Sequence, residues 1–217
     1  TCVGVLGTDG TTRTVRDLVA HTLGLRAHGL SAFCYTGSYQ YPVPTLTGSV
    51  RDDIVFIDPI IGVGELALSD HRSSQLTIDE FLRVASDAYA AGLISGKAGV
   101  VHLHMGDGER QFELIENALN TAEIPTRIYH PTHVNRNKPL FEAAMALSHK
   151  GITVDVTAFP DADGGFLASE AIDVWLKSGL NPSQITCSSD GGGCMPMFDS
   201  DGEMVRMGVG QSDVLGQ

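Results

Sequence analysis

A glutamate, two histidines and an aspartate close four successive apolar runs of this chain: Glu65 in IGVGELAL, His104 in GVVHLHM, His133 in YHPTHV and Asp190 in ITCSSD. All four are residue types that bind divalent cations, and carboxylate oxygen with imidazole nitrogen suits zinc. The intervals between them are long enough for a strand and a returning helix. That is the pattern of a metal site at the mouth of a parallel barrel, and the chemistry it predicts is hydrolysis rather than passive binding. A histidine alone in such a run is more often structural, and a lone aspartate more often a turn residue or cap. Four in register argue for a site.

The elements that must position these residues are legible. CVGVLG, SAFCYTG, the runs around Glu65 and His104, TRIYHPTHV, TVDVTAF and ITCSSD read as strands, each followed by an amphipathic segment. Continuous apolar runs of this kind indicate strands covered on both faces in a parallel sheet. Helix signals agree: Thr77 and Glu80 have capping-box spacing, Pro139 suits a first turn, and Gly151 and Gly179 suit C-terminal stops. Seven strands at intervals of roughly thirty residues fit an α/β fold, a metal-dependent (β/α)8 TIM barrel with one strand missing. No linker divides the chain, so residues 1–217 are expected to form one partial barrel domain, cut at both ends. His102 and His104 share a strand face, as in the H-x-H pair that opens many metal-dependent barrels. Three strands precede His102, whereas that pair belongs on the first, so a structural or supporting role is expected for it.

Composition excludes several classes of function. Lysine and arginine number 14 against 26 acidic residues, a net charge of −12 over 217 residues. Nucleic acid and anionic membrane surfaces are therefore not expected partners. No stretch approaches the eighteen or so apolar residues of a membrane span and no leader opens the chain, so a cytoplasmic location is expected. Cys2, Cys34 and Cys187 sit in or beside apolar runs without C-x-x-C spacing, which predicts buried, reduced thiols; Cys194 stands apart.

LGTD at Leu6 to Asp9, TGSY at Thr36 to Tyr39, SDHRS at Ser69 to Ser73, HMGD at His104 to Asp107, PTHVNRN at Pro131 to Asn137 and SSDG at Ser188 to Gly191 run nearly the length of the chain. Together they resemble the isoaspartyl dipeptidase (β-aspartyl peptidase) family of the amidohydrolase superfamily. The resemblance implies hydrolysis of isoaspartyl dipeptides by a hydroxide held between two zinc ions, with other divalent metals acceptable, and assembly into a homo-oligomer. His104 and His133 would bind one zinc, Asp190 the other while handling protons, and Glu65 would bridge them. Tyr39 would reach the scissile carbonyl oxygen, Arg72 and Arg136 would hold substrate carboxylates, and Thr8 would contact the aspartyl portion.

Three departures qualify that picture. Glu65 stands where many family members carry a carboxylated lysine; its two oxygens can bridge, but the shorter arm requires the backbone or metals to come closer. Cys194 stands where a substrate-contacting serine is expected, and a thiol is a weaker donor. The first-strand H-x-H, the glycine-rich substrate loop with its glutamate, the last helix and the small β-domain do not occur in these residues. Alternative readings are another amidohydrolase activity, N-acyl amino acid deacylation or cyclic-amide hydrolysis, or a non-catalytic or truncated fragment. Phosphate binding at Gly191 to Gly193 has only a generic glycine run behind it.

Overall fold

The computed structural model describes residues 1–162, 164–199 and 204–209. All seven apolar runs form strands: β1 (Cys2–Gly4), β2 (Ala32–Thr36), β3 (Ile60–Leu68), β4 (Val100–Met105), β5 (Tyr129–Thr132), β6 (Val154–Thr157) and β7 (Ile185–Ser188). The first five make a curled, wholly parallel sheet in sequence order. β6 and β7 form a separate parallel pair in register, Val154 opposite Ile185. The two sheets meet where Val134 N donates to Asp155 O at 3.2 Å.

Helices return the chain between strands: α1 (Val15–Ala27), α2 (Val50–Phe56), α3 (Ile78–Ser95), α4 (Glu113–Thr121), α5 (Lys138–Ser148) and α6 (Ala168–Lys177). Their ends follow the sequence signals. Thr77 and Glu80 form a reciprocal capping box on α3, and Asn137 caps α5 with Pro139 in its first turn. Phe81, Leu103, Tyr129, Phe141 and Trp175 are fully buried between helices and sheet, the apolar layer against which the strands are held. No described helix is long and apolar enough to cross a membrane.

Two features were not foreseen. An antiparallel hairpin of β8 (Cys194–Phe198) and β9 (Met204–Val209) follows the Asp190 loop. Cys2 and Cys187 are exposed, contrary to the expectation of buried thiols; only Cys34 is buried, and all three are free. The reason is topological: β1 and β7 are end strands, each with one edge unpaired among the described residues. An apolar run supplies strand propensity, not a neighbour. The sheet is thus a curled α/β sheet with an opening between β1 and β7.

Candidate metal centre and substrate pocket

Glu65 lies where the register of β3 on β4 shifts between Val63 and Leu66, so that Gly64 and Glu65 stand opposite the single residue His102. This is the geometry of a β-bulge, which re-aims a side chain. The close approach depends on Gly64, because a Cβ there would fall 2.6 Å from His102 O. The glutamate is buried, with His133 Nε2 at 3.0 Å and His104 Nδ1 at 3.9 Å from its Oε1. Burial alone would raise its pKa, but the His133 hydrogen bond and nearby histidine charges bring it down to about 2.

Ligand atoms of Glu65, His104 and His133 lie within 4.8 Å of one another, all three buried. A tetrahedral ion with bonds near 2.1 Å has ligand–ligand edges of about 3.4 Å, between the 3.0 and 3.9 Å separations found here. The donor set, one carboxylate and two imidazoles, also fits a divalent transition metal. His104 is kept neutral, burial pulling its pKa down to about 4. His102 lies outside the cluster, its Nδ1 3.1 Å from His130 Nδ1 and its Nε2 3.9 Å from Glu65.

His133 and Asp190 both have left-handed backbones, φ 63° and 47°. Such angles are uncommon outside glycine and often mark functional loops. The His133 loop is fixed by Asn135, whose amide exchanges hydrogen bonds with Thr157 N and O at 2.8 and 2.9 Å. His133 Nδ1 meets Thr157 Oγ1 at 2.7 Å, leaving Nε2 to face Glu65. Asp190 is exposed at the rim of a cavity of about 380 Å³ that also reaches Thr8, Tyr39, Glu65 and His133. Protein packed around its carboxyl raises its pKa; the charge of His133 opposes the shift and that of Glu65 adds to it.

Tyr39 is buried over the cluster, its hydroxyl 2.5 Å from His104 Nδ1. Burial, reinforced by the Glu65 charge, pushes its pKa far up, so it stays a hydrogen-bond donor. Arg72 lies over the Tyr39 ring and donates Nη1 to Thr8 Oγ1 at 3.2 Å. Arg136 packs against Phe159, and its buried Nε has no hydrogen-bond partner among the described residues. Glu65, His104, His133, Tyr39, Arg72 and Thr8 are thus brought together, with Asp190 on the same cavity. Cys194 begins β8, but its side chain lies outside the described residues.

Two carboxylates escaped the sequence reading. Asp70 accepts from His104 Nε2 at 2.9 Å and from three nitrogens of Arg72. Asp155 accepts from Thr132, Thr186 and Ser188 at 2.6–2.7 Å, tying β5, β6 and β7 together beneath the site. The only signal for Asp70 was its place in SDHRS; Asp155, in a buried run, gave none beyond being a charge where charge is costly.

No protein-family model matches the sequence. Among solved structures, the β-aspartyl dipeptidase of the thermophilic, keratin-degrading Fervidobacterium islandicum AW-1, in complex with β-Asp-Leu dipeptide, is 45% identical. It superposes with a TM-score of 0.89 over 96% of this chain and 54% of its own. Another structure of the β-aspartyl dipeptidase from that organism is 46% identical with a TM-score of 0.83, over 87% of this chain and 51% of its own. The chain belongs to the β-aspartyl dipeptidase family. It spans about half the length of the β-aspartyl dipeptidases it matches.

Proposed function

We propose that this chain carries the metal site of a β-aspartyl dipeptidase and takes part in hydrolysis of the β-aspartyl bond of isoaspartyl dipeptides. The observation that carries the reading is the buried Glu65–His104–His133 cluster, with Arg72 Nη2 3.2 Å from His104 Nε2 and its Nη1 bonded to Thr8, which lines the cavity. Arg136, whose buried Nε has no hydrogen-bond partner among the described residues, would supply a second guanidinium. An isoaspartyl dipeptide offers two free carboxylates, and two guanidinium forks suit them. In this reading the strands belong to a (β/α)8 barrel of which residues 1–217 form part.

His104 and His133 would hold one divalent ion, zinc by preference, Asp190 a second, and Glu65 both. Bound there, such ions acidify water and polarise the scissile carbonyl. The Tyr39 hydroxyl, a donor held beside His104, would turn to the carbonyl oxygen and stabilise charge developing on it. Asp190 would take the proton of the attacking water and pass it to the leaving amine. Arg72 and Arg136 would hold the substrate carboxylates, Thr8 would contact the aspartyl portion, and a substrate contact is assigned to Cys194, the first residue of β8. Free thiols at Cys2, Cys34 and Cys187 accord with a reducing cytoplasm. Phe56, Leu93 and Ile94, exposed on α2 and α3, accord with a homo-oligomer.

The test is hydrolysis of β-Asp-Leu by zinc-loaded protein, against N-acetyl-leucine and a cyclic amide as competing substrates. Selective, chelator-sensitive release of leucine from β-Asp-Leu is expected. Equal or better turnover of N-acetyl-leucine favours the deacylase reading, in which one arginine lacks a carboxylate partner. A second reading, a chain inactive by itself, is favoured by the unpaired edges of β1 and β7. It predicts no turnover of any of the three substrates with zinc bound.

A further inference from the structure

We propose that Asp70 is a positioning residue whose single carboxylate sets both the metal-facing tautomer of His104 and the orientation of Arg72. The role assigned to Arg72 rests on the reading above; the role toward His104 does not.

An ionised carboxylate only accepts hydrogen bonds. Asp70 is buried, and Arg72 donates Nε and Nη2 to its two oxygens at 2.9 and 2.7 Å, the fork of a guanidinium on an ionised carboxylate. The proton in the 2.9 Å contact between Asp70 Oδ2 and His104 Nε2 therefore belongs to the histidine. The other face of the ring agrees, since the Tyr39 hydroxyl 2.5 Å from Nδ1 can donate to a lone pair there. Nδ1 is the nitrogen that looks toward Glu65. The 3.2 Å approach of Arg72 Nη2 to Nε2 is then a contact between donors, tolerated because both share the acceptor Asp70 Oδ2.

The same carboxylate grips Arg72. Oδ1 accepts from its backbone N and Nε at 2.7 and 2.9 Å, and Oδ2 from Nη2 at 2.7 Å. One edge of the guanidinium is thereby occupied, and Nη1 is directed toward Thr8 and the pocket. The backbone is shaped for this placement. A Cβ on Gly106 would lie 2.6 Å from Asp70 Cβ and 2.3 Å from Ser69 O, so only glycine lets the loop after β3 settle onto the end of β4. Gln75 Nε2 holds Asp70 O at 3.1 Å. A carboxylate on the distal nitrogen of a ligating histidine fixes the ring and raises its basicity. Here that carboxylate is also the anchor of a substrate-facing cation.

In Asp70→Asn the amide would present N–H to Nε2 and favour the tautomer with its proton on Nδ1. Zinc affinity, measured by chelator competition with zinc alone, is expected to fall about 10- to 100-fold, and KM for β-Asp-Leu to rise. Arg72→Met is expected to raise KM while leaving zinc affinity in place. Long-range ¹H–¹⁵N spectra of the metal-free wild-type protein are expected to show His104 as the Nε2–H tautomer, a readout that needs no variant to fold. An Nδ1–H tautomer in the wild type, or unchanged zinc affinity in a folded Asp70→Asn, overturns the proposal. A wild-type protein with the Nε2–H tautomer and tight zinc but no β-Asp-Leu hydrolysis removes the functional reading and leaves the His104 role standing.

Discussion

Glu65 Oε1 and His133 Nε2 stand 3.0 Å apart, a carboxylate from a bulge inside the sheet against a histidine just beyond the end of β5. The pair spans 68 residues of sequence and is buried on both sides. Glu65→Gln keeps the shape and removes the charge. Zinc per chain, by elemental analysis after buffer exchange, is expected to fall well below the wild-type value, with β-Asp-Leu turnover down about 100-fold. Full zinc content in this variant would remove Glu65 from the metal site.

Arg136 packs against Phe159, and its buried Nε has no hydrogen-bond partner among the described residues. Loss of a charge-assisted hydrogen bond costs about 1.5–3 kcal/mol, so Arg136→Met is expected to raise KM for β-Asp-Leu about tenfold or more. Zinc content should not change. Steady-state kinetics beside elemental analysis separate the two, and an unaltered KM would place Arg136 outside the substrate site.

Tyr39→Phe removes one hydroxyl and little volume. If that hydroxyl stabilises the oxyanion, kcat is expected to fall about 100-fold while zinc binding persists. A fall in KM alone would indicate a substrate-excluding role instead.

His130 touches His102, and the nearby Asp155 charge favours its protonation, yet burial depresses its pKa below 6.5. The unfolded chain then takes up a proton near pH 6.5 that the folded chain refuses. Stability is complete above that pH and is lost as pH falls below it. Thermal melts of the metal-free protein are expected to show this decline, and His130→Gln to lessen it, with the buried His104 supplying part of the remainder; an equal slope in the variant would assign the decline to other groups.

Asp53 is fully buried and accepts from Thr36 Oγ1, Leu46 N and both donors of Thr47. It anchors the far side of the loop that carries Tyr39. Asp53→Ala strands these donors, and a loss of about 3 kcal/mol is expected. For a chain of this size that lowers the melting midpoint by about 6–12 °C. A melt within a degree or two of wild type would show that water replaces the carboxylate.

The strands were legible because runs such as IGVGELAL and GVVHLHM leave no polar face for a helix to expose. The candidate ligands were legible because each interrupts or ends such a run. Asp70 and Asp155 were not, because what distinguishes them is distance to partners 31 to 34 residues away, as with His104 and Thr186. The exposure of Cys2 and Cys187 was hidden for a related reason: strand propensity is local, whereas having a neighbour on each edge is a property of the whole sheet. Glu65 lies between. Its chemistry was visible, but the bulge that compensates for its short arm depends on Gly64 passing close to His102.

The left-handed backbones of His133 and Asp190 also bear on how this site can change over generations. Asparagine, aspartate, histidine and glycine tolerate that conformation, whereas β-branched residues do not. The two loops therefore admit a narrow set of replacements, but that set includes exchange between imidazole and carboxylate. An aspartate at 133 or a histidine at 190 keeps the chain path and alters the balance of nitrogen and oxygen around the cation. Drift at two positions could move the preference between zinc-like and manganese-like ions without rebuilding either loop.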